Sequence, residues 1–275
     1  MKWLLILALV LNGLATPAQT TALLSRVAFG SGLEMDKPQP IWDAVEASQP
    51  QLFILPDGVV STNPASAMDR MTATCRVWSA RSEGYGARIF GPPGKQVQII
   101  LLDTRFFQET ASSGALLGTV QWAWLREQLR KPAQFRVVAS GIPVVSEDHR
   151  GEKWVNWPRD HKLLFDMIGD TEADGILFIS GDRRQAELSS IGDKVPYPLY
   201  DLTSSPMNMK AGEPVAEINR HGISDVVRDN NFGLITIDWS QPDPAVTLEI
   251  RDERGETQIQ HKINLSALQA AEAGP

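Results

Sequence analysis

The feature that most narrows the fold is a strand, loop, helix and strand in succession within residues 24–55. Leu24 to Phe29 is a short apolar run that reads as a buried strand, and Gly30-Ser31-Gly32 ends it. Pro40 to Ala47 reads as a helix, with proline at its start and Ile41, Ala44 and Val45 on one face. Leu52 to Leu55 is a second buried strand, stopped by Pro56-Asp57-Gly58. Two parallel strands need a crossover between them, and parallel sheets are covered on both faces. The pattern therefore predicts an α/β fold, and 43% hydrophobic residues supply enough apolar surface for its core.

Further along, Ala87 to Phe90 and Val97 to Leu102 flank a Gly91-Pro92-Pro93-Gly94 turn, which predicts a rigid hairpin. Gly118 to Leu129 has helical spacing, with Trp122, Leu125 and Leu129 on one face and Arg126, Glu127 and Arg130 outside. Phe135 to Ser140 and Gly175 to Ser180 read as buried strands separated by a helix around His161 to Ile168. Phe232 to Trp239, Ala245 to Asp252 and Thr257 to Leu265 predict an antiparallel meander that closes the sheet. Val60 to Ser82 has no convincing periodicity. There is no internal repeat or linker, so residues 19–275 read as one domain.

Residues 1–18 differ in kind. Lys2, an unbroken apolar run from Trp3 to Leu11, and the small residues Ala15, Thr16 and Ala18 have the layout of a secretory signal peptide. The run is shorter than the ~20 apolar residues of a spanning helix, so the mature chain is expected to carry no transmembrane span. The protein is expected to be exported, to a periplasm or the extracellular space. A formal net charge of -7 with no basic face argues against nucleic-acid binding. The lone Cys75 cannot form an internal disulfide and reads as a small buried residue. The four histidines, 149, 161, 221 and 261, are scattered and form no zinc-type cluster. Gly30-Ser31-Gly32 lacks the pattern of a nucleophile elbow.

In a parallel sheet, functional groups collect on the loops after the carboxyl ends of the strands. Those loops carry Gly30-Ser31-Gly32, Asp57, Asp103-Thr104-Arg105 and Gly181-Asp182-Arg183-Arg184. Taken singly, an aspartate at a strand end also suits a turn or a helix cap.

A series of segments then matches something specific: Arg26-Val-Ala-Phe-Gly-Ser, Asp36-Lys-Pro-Gln-Pro-Ile-Trp-Asp-Ala, Phe90-Gly-Pro-Pro-Gly, Ile99-Ile-Leu-Leu-Asp-Thr-Arg-Phe, Gln121-Trp-Ala-Trp-Leu, Glu152-Lys-Trp-Val-Asn-Trp-Pro, Ser180-Gly-Asp-Arg and Asn231-Phe-Gly-Leu-Ile. In this order, from about Arg26 to Leu265, the chain resembles the alkaline phosphatase D (PhoD-like) metallophosphatases of the calcineurin-like phosphoesterase superfamily. The resemblance implies a two-sheet sandwich flanked by helices, and hydrolysis of phosphate mono- and diesters outside the cytoplasm. It also implies a dinuclear centre of the iron and calcium type at the strand ends. Such a centre clamps the attacking oxygen and stabilises charge on the phosphoryl group, and it needs most of two coordination shells from oxygen, nitrogen or thiolate donors.

The chain departs from that pattern at its donors. Gly32 stands where the family has a cysteine ligand, and Pro56-Asp57-Gly58 with Val60 replaces Gly-Asp-Asn followed by tyrosine. The Asp-Asp-His-Asp block has no counterpart, because Ala73-Thr-Cys-Arg-Val-Trp78 passes almost directly to Ser82-Glu-Gly-Tyr-Gly-Ala-Arg-Ile; this implies an internal deletion. Arg184 replaces the histidine that follows Gly-Asp-Arg. Asp57 and Asp182 alone remain as catalytic and metal-binding positions, enough for no metal or one weakly held divalent cation. A guanidinium has no acceptor and cannot ligate a metal, so Arg184 would serve as a metal-replacing cation beside Asp57 and Asp182. Arg105 and Arg183 match substrate-side positions suited to a phosphate or phosphoester. An internal pairing of Asp103 with Arg105 is the other reading. The resemblance thus implies a catalytically impaired homologue. The alternatives are an active metal-dependent hydrolase with replacement ligands among Asp69, Glu83, Asp148 and His149, or a non-catalytic phosphoester-binding protein.

Overall fold

The computed structural model describes residues 21–34, 36–56, 76–79, 84–112, 114–209 and 218–270. The signal-like segment, Asp57, Asp69, Cys75 and Glu83 lie outside these residues. The first sheet has six strands: β1 (Arg26–Phe29), β2 (Leu52–Leu55), β3 (Arg76–Ser79), β10 (Asn231–Asp238), β11 (Ala245–Asp252) and β12 (Thr257–Asn264). Their order is β12-β11-β10-β1-β2-β3. β1, β2 and β3 are parallel, while β10 runs antiparallel to β1 with Val27 opposite Ile235. The expected meander is the β10–β11–β12 ladder, antiparallel throughout.

The second sheet comprises β4 (Gly86–Phe90), β5 (Val97–Leu101), β6 (Phe135–Ser140), β7 (Ile176–Ser180), β8 (Glu187–Ile191) and β9 (Leu199–Thr203), in the order β4-β5-β6-β7-β9-β8. β5, β6, β7 and β9 are parallel; the edge strands β4 and β8 are antiparallel to their neighbours. The β4–β5 hairpin closes as expected, with Phe90 opposite Val97. β3, β8 and β9 are strands that the sequence pattern did not predict.

Side-chain alternation explains the layering. Val27, Phe29, Leu52 and Ile54 share one core with Ile99, Val137 and Leu177 of the other sheet. Ala28, Phe53 and Leu55 face the opposite way, as a period of two requires. There they meet Ile41, Trp42 and Val45 of helix α1 (Ile41–Ala47), and the Trp42 and Phe53 rings lie 4.8 Å apart.

Helix α2 (Thr119–Leu129) buries Trp122, Leu125 and Leu129 and is tied to β5 by Gln98 Nε2 donating to Gln128 O at 2.9 Å. Helix α3 (Pro158–Asp170) begins at a proline, whose fixed φ suits the first helical position, and so starts earlier than the apolar face indicated. Its buried Asp160 accepts from Leu116 N (2.8 Å), Leu117 N (3.1 Å) and Trp122 Nε1 (3.3 Å). Asp160→Ala is expected to cost about 2–4 kcal/mol, because three buried donors lose their acceptor. Urea unfolding of the variant measures it.

Candidate functional site

The site lies where the parallel strands of both sheets end. The loops after β1 and β7 meet through a hydroxyl group: Asp182 N donates to Ser31 Oγ at 3.1 Å, and Ser31 Oγ donates to Ser204 O at 3.0 Å in the loop after β9. The approach is close enough that a Cβ at Gly181 would stand 2.5 Å from Ser31 Oγ. Gly32 is equally confined. It has φ +66°, and a Cβ there would come within 2.9 Å of Ser205 Oγ and 3.2 Å of Pro206 Cα. Met207 N donates to Ser31 O at 2.9 Å, and the Asn208 amide accepts from Glu34 N and donates to Glu34 O, both at 2.7 Å. These bonds strap the loop after β9 across the loop after β1.

Arg105 stands at the other side of this junction. Its Nη2 donates to Asp182 Oδ2 at 2.6 Å, and its Nη1 forms an ion pair with Glu152. Asp103 does not pair with that guanidinium. Its Oδ1 accepts from the backbone N–H groups of Arg105 and Phe106, both at 2.9 Å, so it shapes the turn that presents Arg105. The Asp103 backbone is fixed in turn by Gln121 of α2, which accepts from Asp103 N and donates to Asp103 O, each at 2.9 Å.

The four sequence-derived positions that fall within the described residues therefore divide. Arg105 and Asp182 are brought together. Arg183 is not part of that pair: it turns inward to Glu187 at 3.3 Å, with both side chains almost wholly buried (3% and 2% exposed). The Gln185 amide, in the orientation its neighbours require, accepts from Arg183 Nε at 3.2 Å and Nη2 at 2.7 Å. Arg183 Nη1 also donates to Ser146 Oγ at 3.4 Å, so these partners of its side chain lie in the interior. The expected place of Arg184 beside Asp57 lies outside the described residues. The Arg184 backbone is left-handed (φ 54°), its N–H donates to Ser205 Oγ at 3.2 Å, and its side chain is exposed. Among the described residues, the cation paired with Asp182 is Arg105.

The candidate replacement ligands within the described residues are occupied or enclosed. Asp148 is bound by Arg220, whose Nε lies 3.0 Å from both carboxylate oxygens, and that pairing holds its pKa down to about 2. His149 is buried (3% exposed), and among the described residues its Nε2 has no hydrogen-bond partner. Burial first, then the positive charges of Arg183 and Lys153, lower its pKa to about 3, so the ring is neutral near pH 7. Among the described residues no three His, Cys, Asp or Glu side chains converge as a metal-holding group. The described donors on these loops do not by themselves fit a dinuclear centre.

Beneath the loops, Asp201 of β9 is fully buried and organises the β6 connection. It accepts from Val144 N (2.7 Å), Val145 N (3.1 Å) and Ser180 Oγ (2.7 Å). Burial pushes its carboxyl pKa up, while these bonds and Arg183 pull it down. The sequence places Ser31 on a strand-end loop without assigning it a role, and it does not single out Glu152 or Asp201 as site-forming residues. Glu152 lies within one of the segments that carry the resemblance, with no role of its own implied there. Asp201 offered one signal, an acid among the alternating apolar residues of Leu199 to Thr203.

No protein-family model matches the chain, and no curated protein matches it in sequence. Solved structures do match. The structure of PhoD superposes with a TM-score of 0.62 at 11% identity, over 90% of this chain and 73% of that one. GAP50, described as the anchor in the inner membrane complex of Plasmodium, superposes with a TM-score of 0.61 at 16% identity, over 87% of this chain and 89% of that one. The fold is similar to those of PhoD and GAP50. At these identities the likeness is one of fold, with α/β layers built on two mixed sheets. Among the described residues no helix is long and apolar enough to cross a membrane.

Proposed function

We propose that this chain is an exported, shortened homologue of the PhoD-like phosphatases that has lost most of its hydrolytic capacity. The observation that carries the reading is the junction at Ser31. The loops after β1 and β7 would both have to supply donors to a dinuclear centre, yet here a serine hydroxyl joins them, and a Cβ at Gly32 would stand 2.9 Å from Ser205 Oγ. Arg105 occupies the carboxylate of Asp182, the one retained acidic position within the described residues. Coverage of 73% of the PhoD chain agrees with a shortened member. The signal-like residues 1–18 support export.

The test is elemental analysis of the purified mature protein, with turnover of aryl phosphate mono- and diesters measured with and without calcium and iron. Fewer than one tightly bound metal per chain and no metal-dependent turnover are expected. Two bound metals with turnover abolished in Asp182→Ala would overturn the reading. Millimolar phosphate is expected to leave the melting temperature unchanged, since Arg105 and Arg183 are already paired with carboxylates. A phosphate-dependent rise would instead identify a phosphate-binding remnant.

A further inference from the structure

We propose that Arg105 is a positioning residue that acts as an internal counter-ion, holding three strand-end loops together by pairing with Asp182 and Glu152 at once. The proposal deepens the reading that the metal centre is lost, and it is tested separately from it. The three groups come from three different segments: Arg105 follows β5, Glu152 lies in the connection between β6 and α3, and Asp182 follows β7. Each is fixed from behind. Asp103 and Gln121 set the turn that carries Arg105, Gln108 Nε2 donates to Glu152 at 3.3 Å, and Ser31 holds the Asp182 backbone in its left-handed conformation (φ 54°). The planar guanidinium reaches one carboxylate through each terminal nitrogen, a geometry that the ammonium of lysine cannot reproduce.

The energetics follow from charge. With Arg105 present, two carboxylates among the described residues pair with one permanent cation. Without it, both face the same space, and their repulsion pushes the β6–α3 connection and the β7 loop apart. Partial exposure of all three side chains (31%, 47% and 44%) keeps each separate ion pair weak. The effect of Arg105 therefore lies in joining both acids. Removing the cation while leaving the acids should hurt more than removing all three charges.

Thermal unfolding of the full mature chain tests this. Arg105→Gln is expected to lower the melting temperature by about 2–5 °C, the scale of roughly a kilocalorie per mole for a domain of this size. Arg105→Lys should recover part of the loss. The triple variant Arg105→Gln, Glu152→Gln, Asp182→Asn should recover most of it. Millimolar calcium chloride, compared with sodium chloride at equal ionic strength, should stabilise Arg105→Gln more than the triple variant. A wild-type melting temperature for Arg105→Gln, or a triple variant no more stable than Arg105→Gln, would overturn the proposal. If Arg105→Gln yields no folded protein, the triple variant decides: folded protein supports the counter-ion role, and failure to fold assigns Arg105 to packing.

Discussion

Arg183→Ala is expected to destabilise the protein by about 3–5 kcal/mol, because it strands the buried carboxylate of Glu187. Both side chains are almost inaccessible to water, and their charges are 3.3 Å apart. Removing one member leaves a desolvated charge without this ion-pair partner, whereas replacing both by neutral groups of similar size is far less costly. The double variant Arg183→Met, Glu187→Gln is therefore expected to unfold closer to the wild-type urea midpoint than Arg183→Ala does. A ligand-binding arginine would behave in the opposite way, with stability nearly unchanged and ligand response lost. Measured urea midpoints for the two variants separate these roles.

Acid is expected to weaken the fold through His149. The unfolded imidazole titrates near 6.5, and burial beside Arg183 and Lys153 brings the folded one down to about 3. Between those values the unfolded chain binds a proton that the folded chain refuses. Stability from this group is fully present above 6.5 and is lost as pH falls towards 3, at a slope of up to about 1.4 kcal/mol per pH unit. Over the whole window the loss is on the order of 3–5 kcal/mol. His161, whose pKa is also lowered chiefly by burial, contributes with the same sign. Urea unfolding at several pH values should show His149→Gln with a clearly flatter acid limb than wild type. An unchanged limb would show that the ring is not enclosed as described.

Much of the fold is legible because many of its elements carry local signals. β1, α1 and β2 follow from apolar runs punctuated by glycine and proline, and the β4–β5 hairpin follows from its Gly-Pro-Pro-Gly turn. β8 and β9 are illegible for the opposite reason. Glu187, Ser189, Asp201 and Thr203 are polar yet buried, satisfied by partners such as Arg183, Ser180 and the β6 connection. A buried polar residue looks like a surface residue until its distant partner is known. β3 was hidden because its strand identity rests on parallel pairing with β2, a contact that leaves no local period.

The same division runs through the site. That acids and arginines would gather at the strand ends follows from the sequence, since the order of strands and loops dictates where functional groups collect. Which arginine meets which acid does not. Asp182 and Arg184 are held in left-handed conformations by hydroxyl groups of Ser31 and Ser205, and Arg184 consequently lies exposed at the surface. Arg105, distant in sequence, then reaches Asp182 because α2 fixes its turn. The chain by itself determined the α/β layers and the strand-end loops. Only the tertiary structure decided the ion pairs, because direction and burial of long charged side chains depend on contacts between segments that the sequence leaves far apart.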